Sequence, residues 1–375
     1  MKISIISFDL GNNCLGRAYL LGKVLSRHYD VDIHGFVFPY SGNKIWKPCD
    51  TGEFYYKVIQ GRNFPFFLKS MTDMYRSING DVIYASKATL PSYGVALLKK
   101  FFSDKPVVLD IDDLETAWFE KLKGARRWMR ILQPYGPIHT TWIENFIGFA
   151  DEITTVSTQL REKFGRGVII PHGKDTEHFD PAKYDRNKLR KELQFDGYKI
   201  IMFLGTVRPH KGLEHIIQAL NLLNRDDIRL MIIGAGTEPK YENMLEEIGN
   251  GKVILKEKIP FNNIPQYLHA ADIVVLPQKK TIQSYGQIPA KLFDAMAMAK
   301  PIIAADVSDL QMILNGCGII VEPEDISGLA DKIDWVCSNT LEAEKMGRRA
   351  REKCIADYSW DVMEEKLVAI FEKYK

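Results

Sequence analysis

Short apolar runs alternate with helical patterns along the whole chain. The runs predict strands at residues 2–8, 31–38, 81–86, 107–111, 152–156 and 168–171 in the first half, and at 199–204, 229–234, 253–255, 272–277, 301–305 and 318–321 in the second. Strands that alternate with helices are typical of parallel sheets covered by helices on both faces. The pattern therefore predicts an α/β fold with two doubly wound, Rossmann-like domains.

The chain has 375 residues, which is more than one hydrophobic core usually supports. We expect an N-terminal domain over residues 1–174, a polar linker over 175–197 and a C-terminal domain over 198–357. Residues 358–375 form an amphipathic stretch that we expect to cross back as a helix and pack on the N-terminal domain. Ligands of such sheets bind at the carboxyl ends of the strands, so the predicted site is a cleft that the two domains face.

Charge and cysteine usage exclude several classes of protein. Lys and Arg number 50 against 48 acidic residues, and this balance gives no reason to expect nucleic acid as a partner. The five cysteines show no CxxC spacing, so neither a zinc site nor a disulfide framework is predicted. No apolar run reaches the length of about 18 residues that a membrane span needs. We therefore expect a cytoplasmic protein.

The most informative run is GTVRPHKG at residues 205–212, between the predicted strand 199–204 and a helix predicted over 213–223. It places Arg208 and Lys211 at the carboxyl end of a strand, where a helix begins. Cations beside the N–H groups of a helix start bind phosphate or diphosphate well. A solvated basic turn is the alternative, because Arg and Lys are usually exposed.

Two other glycine-containing loops give weaker signals. The first, GNNCLGR at 11–17, has neither the GxGxxG nor the P-loop pattern, and the strand 31–38 ends without the acid that holds an NAD ribose. These features argue against a dehydrogenase. The second, GAGTEP at 234–239, has proline at the third glycine position and is either a structural turn or part of the cleft lining.

Residues 110–113 read DIDD and contain an Asp-x-Asp pattern. In some sugar transferases of a different fold, this pattern holds a divalent metal under a diphosphate. Arg208 and Lys211 would already neutralise a diphosphate, so we expect no metal.

Several segments, in order and spacing, resemble the retaining glycosyltransferases of family 4, which have the two-domain GT-B fold. They are GTVRPHKG at 205–212, PHGKDTEHF at 171–179, AADIVVLP at 270–277 and KLFDAMAMAKPII at 291–303. The resemblance implies a metal-independent hexosyltransferase without cofactors. Its donor would be a nucleoside-diphosphate sugar, and its acceptor a glycan, a lipid-linked molecule or a small molecule.

The resemblance also implies roles for single residues. Arg208 and Lys211 match the family's basic pair that binds the donor phosphates and stabilises the leaving group. Gly205 and Thr206 lie in the same turn and are assigned to donor binding. Gly16 in the first loop is assigned to donor binding as well.

The chain departs from the family where two glutamates usually stand eight positions apart. The second matches Asp294, whose carboxylate would accept hydrogen bonds from the ribose, but the first falls on Gly286. We expect the N–H groups of Gly286 and Gln287 to line a phosphate nest. Lys291 would be a third cation in the helix that follows, or else a solvated helix residue.

A second departure lies in the first half, where many family members have a histidine that contacts the transferred sugar. Here the position is Asp112, which would either contact the sugar or, with Asp113, cap a helix starting near Leu114. No residue is assigned as a covalent nucleophile. His139 and His172 are expected to be structural or surface residues.

Residues 118–149 combine Trp and other apolar side chains with Lys121, Lys123, Arg126, Arg127 and Arg130, and residues 61–69 have a similar character. A basic, aromatic surface of this kind suits a peripheral contact at the inner face of a membrane. The alternative is that the apolar residues are core and the basic ones solvated.

Two rival functions remain open from the sequence. One is a GT-B enzyme of another type, such as a nucleotide-sugar epimerase. The other is a catalytically silent subunit that binds nucleotide sugars, because Gly286 lacks the family's carboxylate.

Overall fold

The computed structural model describes residues 1–120, 122 and 124–375, and the chain divides into two compact units. Unit 1 comprises Met1–Pro171 and Met363–Lys375, and unit 2 comprises His172–Val362. Lys121 and Lys123, two of the cations in the predicted membrane-facing segment, lie outside the described residues.

Unit 1 contains a parallel sheet of seven strands in the order β3-β2-β1-β4-β5-β6-β7. The strands are β1 (Lys2–Ser7), β2 (Asp30–Val37), β3 (Tyr56–Gln60), β4 (Val82–Ser86), β5 (Val107–Ile111), β6 (Glu152–Thr155) and β7 (Val168–Ile169). The chain runs outward from β1 to one edge and returns through β4 to the other, which is the doubly wound topology.

Burial explains why six of these strands were predicted and one was not. Every residue of β4 and β5 is buried, which gives the continuous apolar runs typical of central parallel strands. β3 lies at the sheet edge, pairs only with β2 and leaves no residue fully buried. Its sequence YKVIQ mixes polar and apolar residues. The search for apolar runs therefore did not predict this strand.

Six helices belong wholly to unit 1. They are α1 (Leu15–Leu25), α2 (Phe67–Ser77), α3 (Val95–Ser103), α4 (Ala125–Trp128), α5 (Pro137–Glu144) and α6 (Thr158–Lys163).

Unit 2 contains a second parallel sheet, with six strands in the order β10-β9-β8-β11-β12-β13. The strands are β8 (Lys199–Leu204), β9 (Ile228–Ala235), β10 (Val253–Glu257), β11 (Ile273–Leu276), β12 (Ile302–Ala305) and β13 (Ile319–Val321). All six were predicted from the sequence to within a few residues at each end.

The helices of unit 2 cover this sheet. They are α7 (Arg186–Glu192), α8 (Leu213–Leu223), α9 (Pro239–Gly249), α10 (Ile264–Ala270), α11 (Ala290–Ala297), α12 (Leu310–Leu314), α13 (Ile326–Ser338) and α14 (Thr340–Tyr358). A buried cluster from β8, β9, α8 and α13 forms a large part of the core, and α8 has the bounds that its apolar spacing predicts.

The segment 175–197, which the sequence suggests as a linker, lies inside unit 2 and contains α7. Arg186 and Arg190 on this helix bind opposite oxygens of Asp272, at 2.7 and 3.0 Å. These ion pairs attach the polar segment to the start of β11, so it is part of the folded unit.

A last helix, α15 (Trp360–Phe371), begins in unit 2 and continues into unit 1. Within unit 1 the Phe371 ring packs against Tyr84 and Tyr29, with ring centroids 5.3 and 6.2 Å away. The prediction that the C-terminal helix crosses back to the N-terminal domain is confirmed.

Candidate functional site

Two glycine turns lie side by side at the carboxyl edge of the unit 2 sheet. Gly205, directly after β8, has φ +124°, and its N–H donates to Ile233 O at 2.8 Å. Gly234 near the end of β9 has φ +125°, and a Cβ built there would lie 2.3 Å from Gly205 O. Glycine alone tolerates both this backbone conformation and this close approach. The sequence thus brings two stretches of bare backbone together where the strands end.

Arg208 and Lys211 belong to the turn that leads from β8 to α8. Arg208 is extended (φ −148°, ψ 147°) and precedes a short 3-10 helix, Pro209–Lys211, whose last N–H donates to Arg208 O at 2.9 Å. Gly212 then takes φ +68°, and a Cβ there would lie 2.2 Å from Pro277 O. The turn is therefore fixed against the end of β11, with both cations half-buried at the sheet edge.

Lys211 is held by a glutamine network. Its Nζ donates to Gln287 Oε1 at 2.8 Å, and Gln278 Nε2 donates to the same oxygen at 3.0 Å. Gln278 is buried just after β11. The network orients the ammonium group of Lys211 toward the segment that precedes α11.

Lys291 approaches the same turn from the first turn of α11. Its Nζ lies 3.8 Å from the centroid of the Phe203 ring, and a Cβ at Gly205 would lie 2.7 Å from that Nζ. Burial lowers the pKa of Lys291 well below its ordinary value, Lys211 lowers it further, and Asp294 opposes them. The ammonium groups of Lys211 and Lys291 thus repel each other beside the glycine turn. An anion bound between them would offset this repulsion.

The segment before α11 differs in one respect from the sequence prediction. Gly286 is buried with φ +67°, but the N–H of Gln287 donates to Ser284 O at 3.2 Å. The turn thus uses the N–H that was expected to line a phosphate nest. Gln287 contributes its side-chain oxygen to Lys211 instead.

Asp294, the expected ribose ligand, is buried one turn further along α11 and forms an ion pair with Lys174. The Lys174 Nζ also lies 4.1 Å from the Phe179 ring centroid and 4.9 Å from that of Phe261. Sequence reasoning did not identify this pair. The Lys174 ammonium is therefore the direct charged partner of the Asp294 carboxylate.

A second charged cluster lies in unit 1 and surrounds Lys87, which directly follows β4 with φ +77° and is only 5% exposed. Its Nζ lies 2.8 Å from Asp112 Oδ1, 2.9 Å from Asp113 Oδ2 and 2.6 Å from Glu115 Oε1. We call these four residues the Lys87 cluster. Three carboxylates around one ammonium give the cluster a net charge of −2, or −1 when one carboxylate binds a proton.

The contacts within the Lys87 cluster exclude helix capping, one of the two roles expected for Asp112. The next helical turn, Glu115–Phe119, has Leu114 as its N-cap and no side-chain cap. Helix capping by Asp112 and Asp113 is therefore wrong, because their carboxylates face Lys87 instead. A contact between Asp112 and a sugar stays a prediction.

The same carboxylates have a spacing that suits a cation. Among the described residues, oxygens of Asp112, Asp113 and Glu115 lie within 4.8 Å of one another. The Lys87 ammonium already neutralises part of this charge at 2.6–2.9 Å. The expectation that the protein uses no metal stays a prediction.

Glu115 has an unusual acid strength in this cluster. Burial raises its pKa to about 7; Lys87 lowers it, and Asp113 and Asp112 raise it. The residue is thus partly protonated near neutral pH.

Arg17, directly after Gly16, is buried in unit 1. Its Nε and Nη2 donate to the two oxygens of Asp110 at 3.0 and 2.9 Å, and its guanidinium also donates to the carbonyls of Ile170 and Pro171. This is a bidentate, fully buried ion pair. Burial lowers the pKa of Arg17, but Asp110 outweighs it and raises the pKa above its ordinary value.

Gly16 is the second residue of α1, and a Cβ there would lie 3.5 Å from the Trp46 ring. That distance is an ordinary contact, so the backbone does not require glycine at this position. Its assignment to donor binding stays a prediction.

The predicted residues thus fall into two groups. Unit 2 brings Gly205, Thr206, Arg208 and Lys211 into one turn, with Gln287 and Lys291 facing it. Gly286 and Asp294 flank Lys291 along the chain. Gly16 and Asp112 lie in unit 1.

Sequence reasoning missed Lys87, Glu115, Lys174 and Gln278. The available signal for Lys87 was its position directly after a fully buried strand, which is where functional side chains of parallel sheets lie. Its burial could not be predicted, because lysine is almost never buried unless it is paired.

Among the described residues, no helix combines the length and the apolar character needed to cross a bilayer.

The family model described as glycosyl transferases group 1 matches residues 185–353. This stretch contains the glycine turn after β8, the glutamine network and Lys291. Residues 185–353 therefore belong to the glycosyl transferases group 1 family.

Two curated relatives cover more of the chain. The α-maltose-1-phosphate synthase of Mycobacterium tuberculosis is 23% identical over 294 residues, which are 71% of this chain and 74% of that protein. A GDP-mannose-dependent monoacylated α-(1-6)-phosphatidylinositol monomannoside mannosyltransferase of Corynebacterium glutamicum is 26% identical over 216 residues, 54% of this chain and 55% of that protein.

Among solved structures, Anabaena HepE in complex with UDP-glucose has a TM-score of 0.80 at 15% identity and covers 100% of both chains. The likeness confirms the predicted fold. The chain is a glycosyltransferase with the two-domain GT-B fold.

Proposed function

We propose that the chain is a retaining hexosyltransferase. It moves a sugar from a nucleoside-diphosphate sugar to a glycan, a lipid-linked molecule or a small molecule. One observation carries this proposal. Arg208 and Lys211 belong to the glycine turn after β8, and the Lys291 side chain approaches the same turn from α11.

The proposed chemistry follows from charge. Cleavage of the bond between the sugar and the diphosphate develops negative charge on the leaving phosphate oxygen. Arg208 and Lys211 stabilise this charge as it grows, and Lys291 adds a third cation beside them. The backbone of Gly205 and Thr206 lets the diphosphate approach closely, because Gly205 has no side chain.

Further donor contacts are proposed outside this turn. Asp294 accepts hydrogen bonds from the ribose, and the ion pair with Lys174 holds its carboxylate in place. Gly286 and Gln287 line the phosphate side, Gln287 through the side chain that orients Lys211. Gly16 is proposed as a further donor-binding residue.

Asp112 is proposed to contact the transferred sugar by accepting hydrogen bonds from its hydroxyl groups. The Lys87 ammonium lies 2.8 Å from Asp112 Oδ1 and fixes the position of this carboxylate. Retention of the anomeric configuration would come from attack of the acceptor on the face that the diphosphate leaves. No metal and no cofactor enters this reaction scheme.

The test begins with the donor. Thermal shift measurements with a panel of nucleotide sugars identify the donor, because a ligand of the folded state raises the melting temperature. Transfer is then measured with that donor for Arg208→Ala and Lys211→Ala. We expect turnover to fall roughly 100- to 1000-fold for each variant, as for other groups that stabilise developing charge.

Lys332→Ala, an exposed lysine on α13, is the matched control and keeps normal turnover. Circular dichroism must show that all variants fold. Near-normal transfer by folded Arg208→Ala and Lys211→Ala would refute the proposal. Interconversion of the donor sugar without transfer would indicate an epimerase instead.

We also propose that unit 1 contacts a membrane surface through residues 62–69 and 128–132, which we call the aromatic-basic surface. Phe66, Trp128 and Met129 are 65%, 65% and 72% exposed. The N–H of Phe64 donates to Leu132 O at 2.7 Å, so the two segments are neighbours.

The charges of this surface suit an anionic bilayer. Arg62, Lys69 and Arg130 are exposed within it. Apolar side chains that enter the headgroup region, together with basic ones, give salt-dependent binding. The acceptor that fits such a location is lipid-linked.

Co-sedimentation with phosphatidylglycerol-containing vesicles tests the membrane contact. We expect binding at low salt that weakens at high salt and is reduced in Trp128→Ser and Met129→Ser. Leu341→Ser, which changes an equally exposed leucine on α14 in unit 2, serves as the control and binds normally. No binding at low salt would exclude this contact.

A further inference from the structure

Unit 2 contains a cavity of about 210 Å³ at the edge of the sheet opposite the glycine turns. The cavity adjoins the residues where β8, β11 and β12 begin, and we call it the amino-edge cavity. The charged and ionisable side chains that define its chemistry are Arg186, Lys199, His269, Lys300, Glu344 and Arg348.

Lys300 is the most deeply buried of these side chains, at 7% exposure. Its Nζ donates to His269 O at 2.9 Å and to Ala271 O at 3.0 Å. A charged ammonium has three N–H groups, and these two carbonyls use two of them. One donor of a buried cation therefore remains for a ligand.

The acids of the cavity do not neutralise its lysines. Asp272 already binds both Arg186 and Arg190, at 2.7 and 3.0 Å. Neither Lys199 nor Lys300 has a carboxylate within 4.0 Å among the described residues. On α14, Glu344 Oε2 lies 4.0 Å from Arg348 Nη1.

We propose that the amino-edge cavity binds the phosphoryl group of a small molecule, with Lys300 as its main ligand and Lys199 and Arg348 beside it. The two lysines without carboxylate partners match the two negative charges of a phosphate monoester. The volume exceeds by far what a single water needs, so part of an attached organic group fits as well. This proposal does not depend on the proposed transfer reaction.

The protonation of Lys300 supports the proposal. Burial, together with Arg186 and Arg190, lowers its pKa to about 7, although Asp272 and Glu344 oppose this shift. An anion beside the ammonium favours the charged form and raises the pKa. Binding of phosphate near pH 7.5 therefore favours proton uptake by Lys300.

The other titratable groups around Lys300 do not supply this proton. Burial, together with the nearby cations Lys300 and Arg186, lowers the pKa of His269 on α10 to about 4, so its ring is neutral. Burial raises the pKa of the Cys337 thiol on α13 to about 11, so it is neutral as well.

Lys300 also has a structural role, because His269 and Ala271 lie at the C-terminal end of α10. By donating hydrogen bonds to these carbonyls, Lys300 stabilises the end of the helix whether or not a ligand binds. The two roles differ in their consequences. A purely structural lysine affects stability, whereas a ligand-binding one also affects phosphate affinity.

Calorimetric titration with inorganic phosphate at constant ionic strength tests the proposal. The parent protein is the Arg208→Ala/Lys211→Ala double variant, so that the turn after β8 does not contribute to phosphate binding. We expect binding at pH 7.5 whose heat depends on the ionisation enthalpy of the buffer. In this parent, Lys300→Met should weaken binding about 10- to 100-fold, since a charge-assisted hydrogen bond is lost.

Arg348→Gln changes an exposed residue of α14, leaves the core intact and should weaken binding about 2- to 5-fold. Lys345→Gln on the same helix lies outside the cavity and should leave binding unchanged. Absence of phosphate binding by the parent would overturn the proposal. Equal affinity of the parent, the Arg348→Gln variant and a folded Lys300→Met variant would overturn it too.

Discussion

Lys291 offers a test in which stability and ligand binding respond differently to one substitution. We predict that Lys291→Met leaves the ligand-free protein about as stable as the parent but weakens its binding to nucleoside diphosphates. Methionine keeps most of the apolar length of lysine and removes only the charge. The prediction follows from the site geometry, because Lys291 Nζ lies against the Phe203 ring and beside Gly205.

The expected change in stability is small because two effects oppose each other. Loss of the contact with the Phe203 ring, 3.8 Å away, costs about 0.5–2 kcal/mol, and a methionine–aromatic contact restores about 0.3–1.5 kcal/mol. Removal of a buried ammonium near Lys211 is favourable. We expect the free energy of unfolding to change by less than about 1 kcal/mol at neutral pH.

The pH dependence of stability gives a second, independent test of the Lys291→Met prediction. The folded-state pKa of Lys291 lies below its ordinary value of 10.5, so between the two values the unfolded chain binds the extra proton. The parent protein therefore gains stability relative to Lys291→Met as the pH rises toward 10.5. Urea unfolding at several pH values measures this difference.

The expected loss of ligand affinity is much larger. One charge-assisted contact with a phosphate contributes about 1.5–3 kcal/mol, which corresponds to roughly 10- to 150-fold in Kd. Calorimetric titration with UDP, GDP, ADP and TDP first finds the nucleotide that the parent binds and then compares variants. Lys332→Met on α13 makes the same change at an exposed site and should bind normally. Unchanged affinity in Lys291→Met, or a loss of several kcal/mol in stability, would refute the reasoning.

Three further predictions concern stability. Because the folded-state pKa of Glu115 is raised to about 7, the contribution of Glu115 to stability falls as the pH rises from 4.5 to 7. In urea unfolding the parent should therefore lose stability relative to Glu115→Gln over this range, whereas the exposed Glu120→Gln should show no such difference from the parent. Arg17→Met should lower the free energy of unfolding by about 3–5 kcal/mol, since it leaves the Asp110 carboxylate buried alone, and recovery in the Arg17→Met/Asp110→Asn double variant would support this cause. Ala299 follows α11 with φ +53°, so Ala299→Gly should raise the melting temperature, and a decrease would contradict strain at this position.

Much of the fold could be predicted because buried parallel strands have a simple signature. β4 and β8 are almost wholly apolar, and the turn between β8 and α8 contains the cations that suggested a phosphate site. Edge strand β3 was missed because its residues alternate between partial burial and exposure. The polar segment around α7 was taken for a linker because its anchoring partner Asp272 is distant in sequence.

The charges of the site were harder to predict than its backbone. Lys87 and Arg17 are buried by partners that lie 25 or more residues away, and no local pattern indicates such pairing. Lys174 pairs with Asp294 over a still longer sequence separation. Each pair forms only when strands from distant parts of the chain come together.

The passage of α15 into unit 1 has a consequence for synthesis on the ribosome. Met363, Leu367, Ile370 and Phe371 are buried in unit 1, yet they are translated only after the whole of unit 2. Until then Tyr84, which the Phe371 ring covers, lacks one side of its packing. Unit 2 is formed by one continuous segment of the chain, whereas unit 1, although it begins the chain, needs the last residues to be completed.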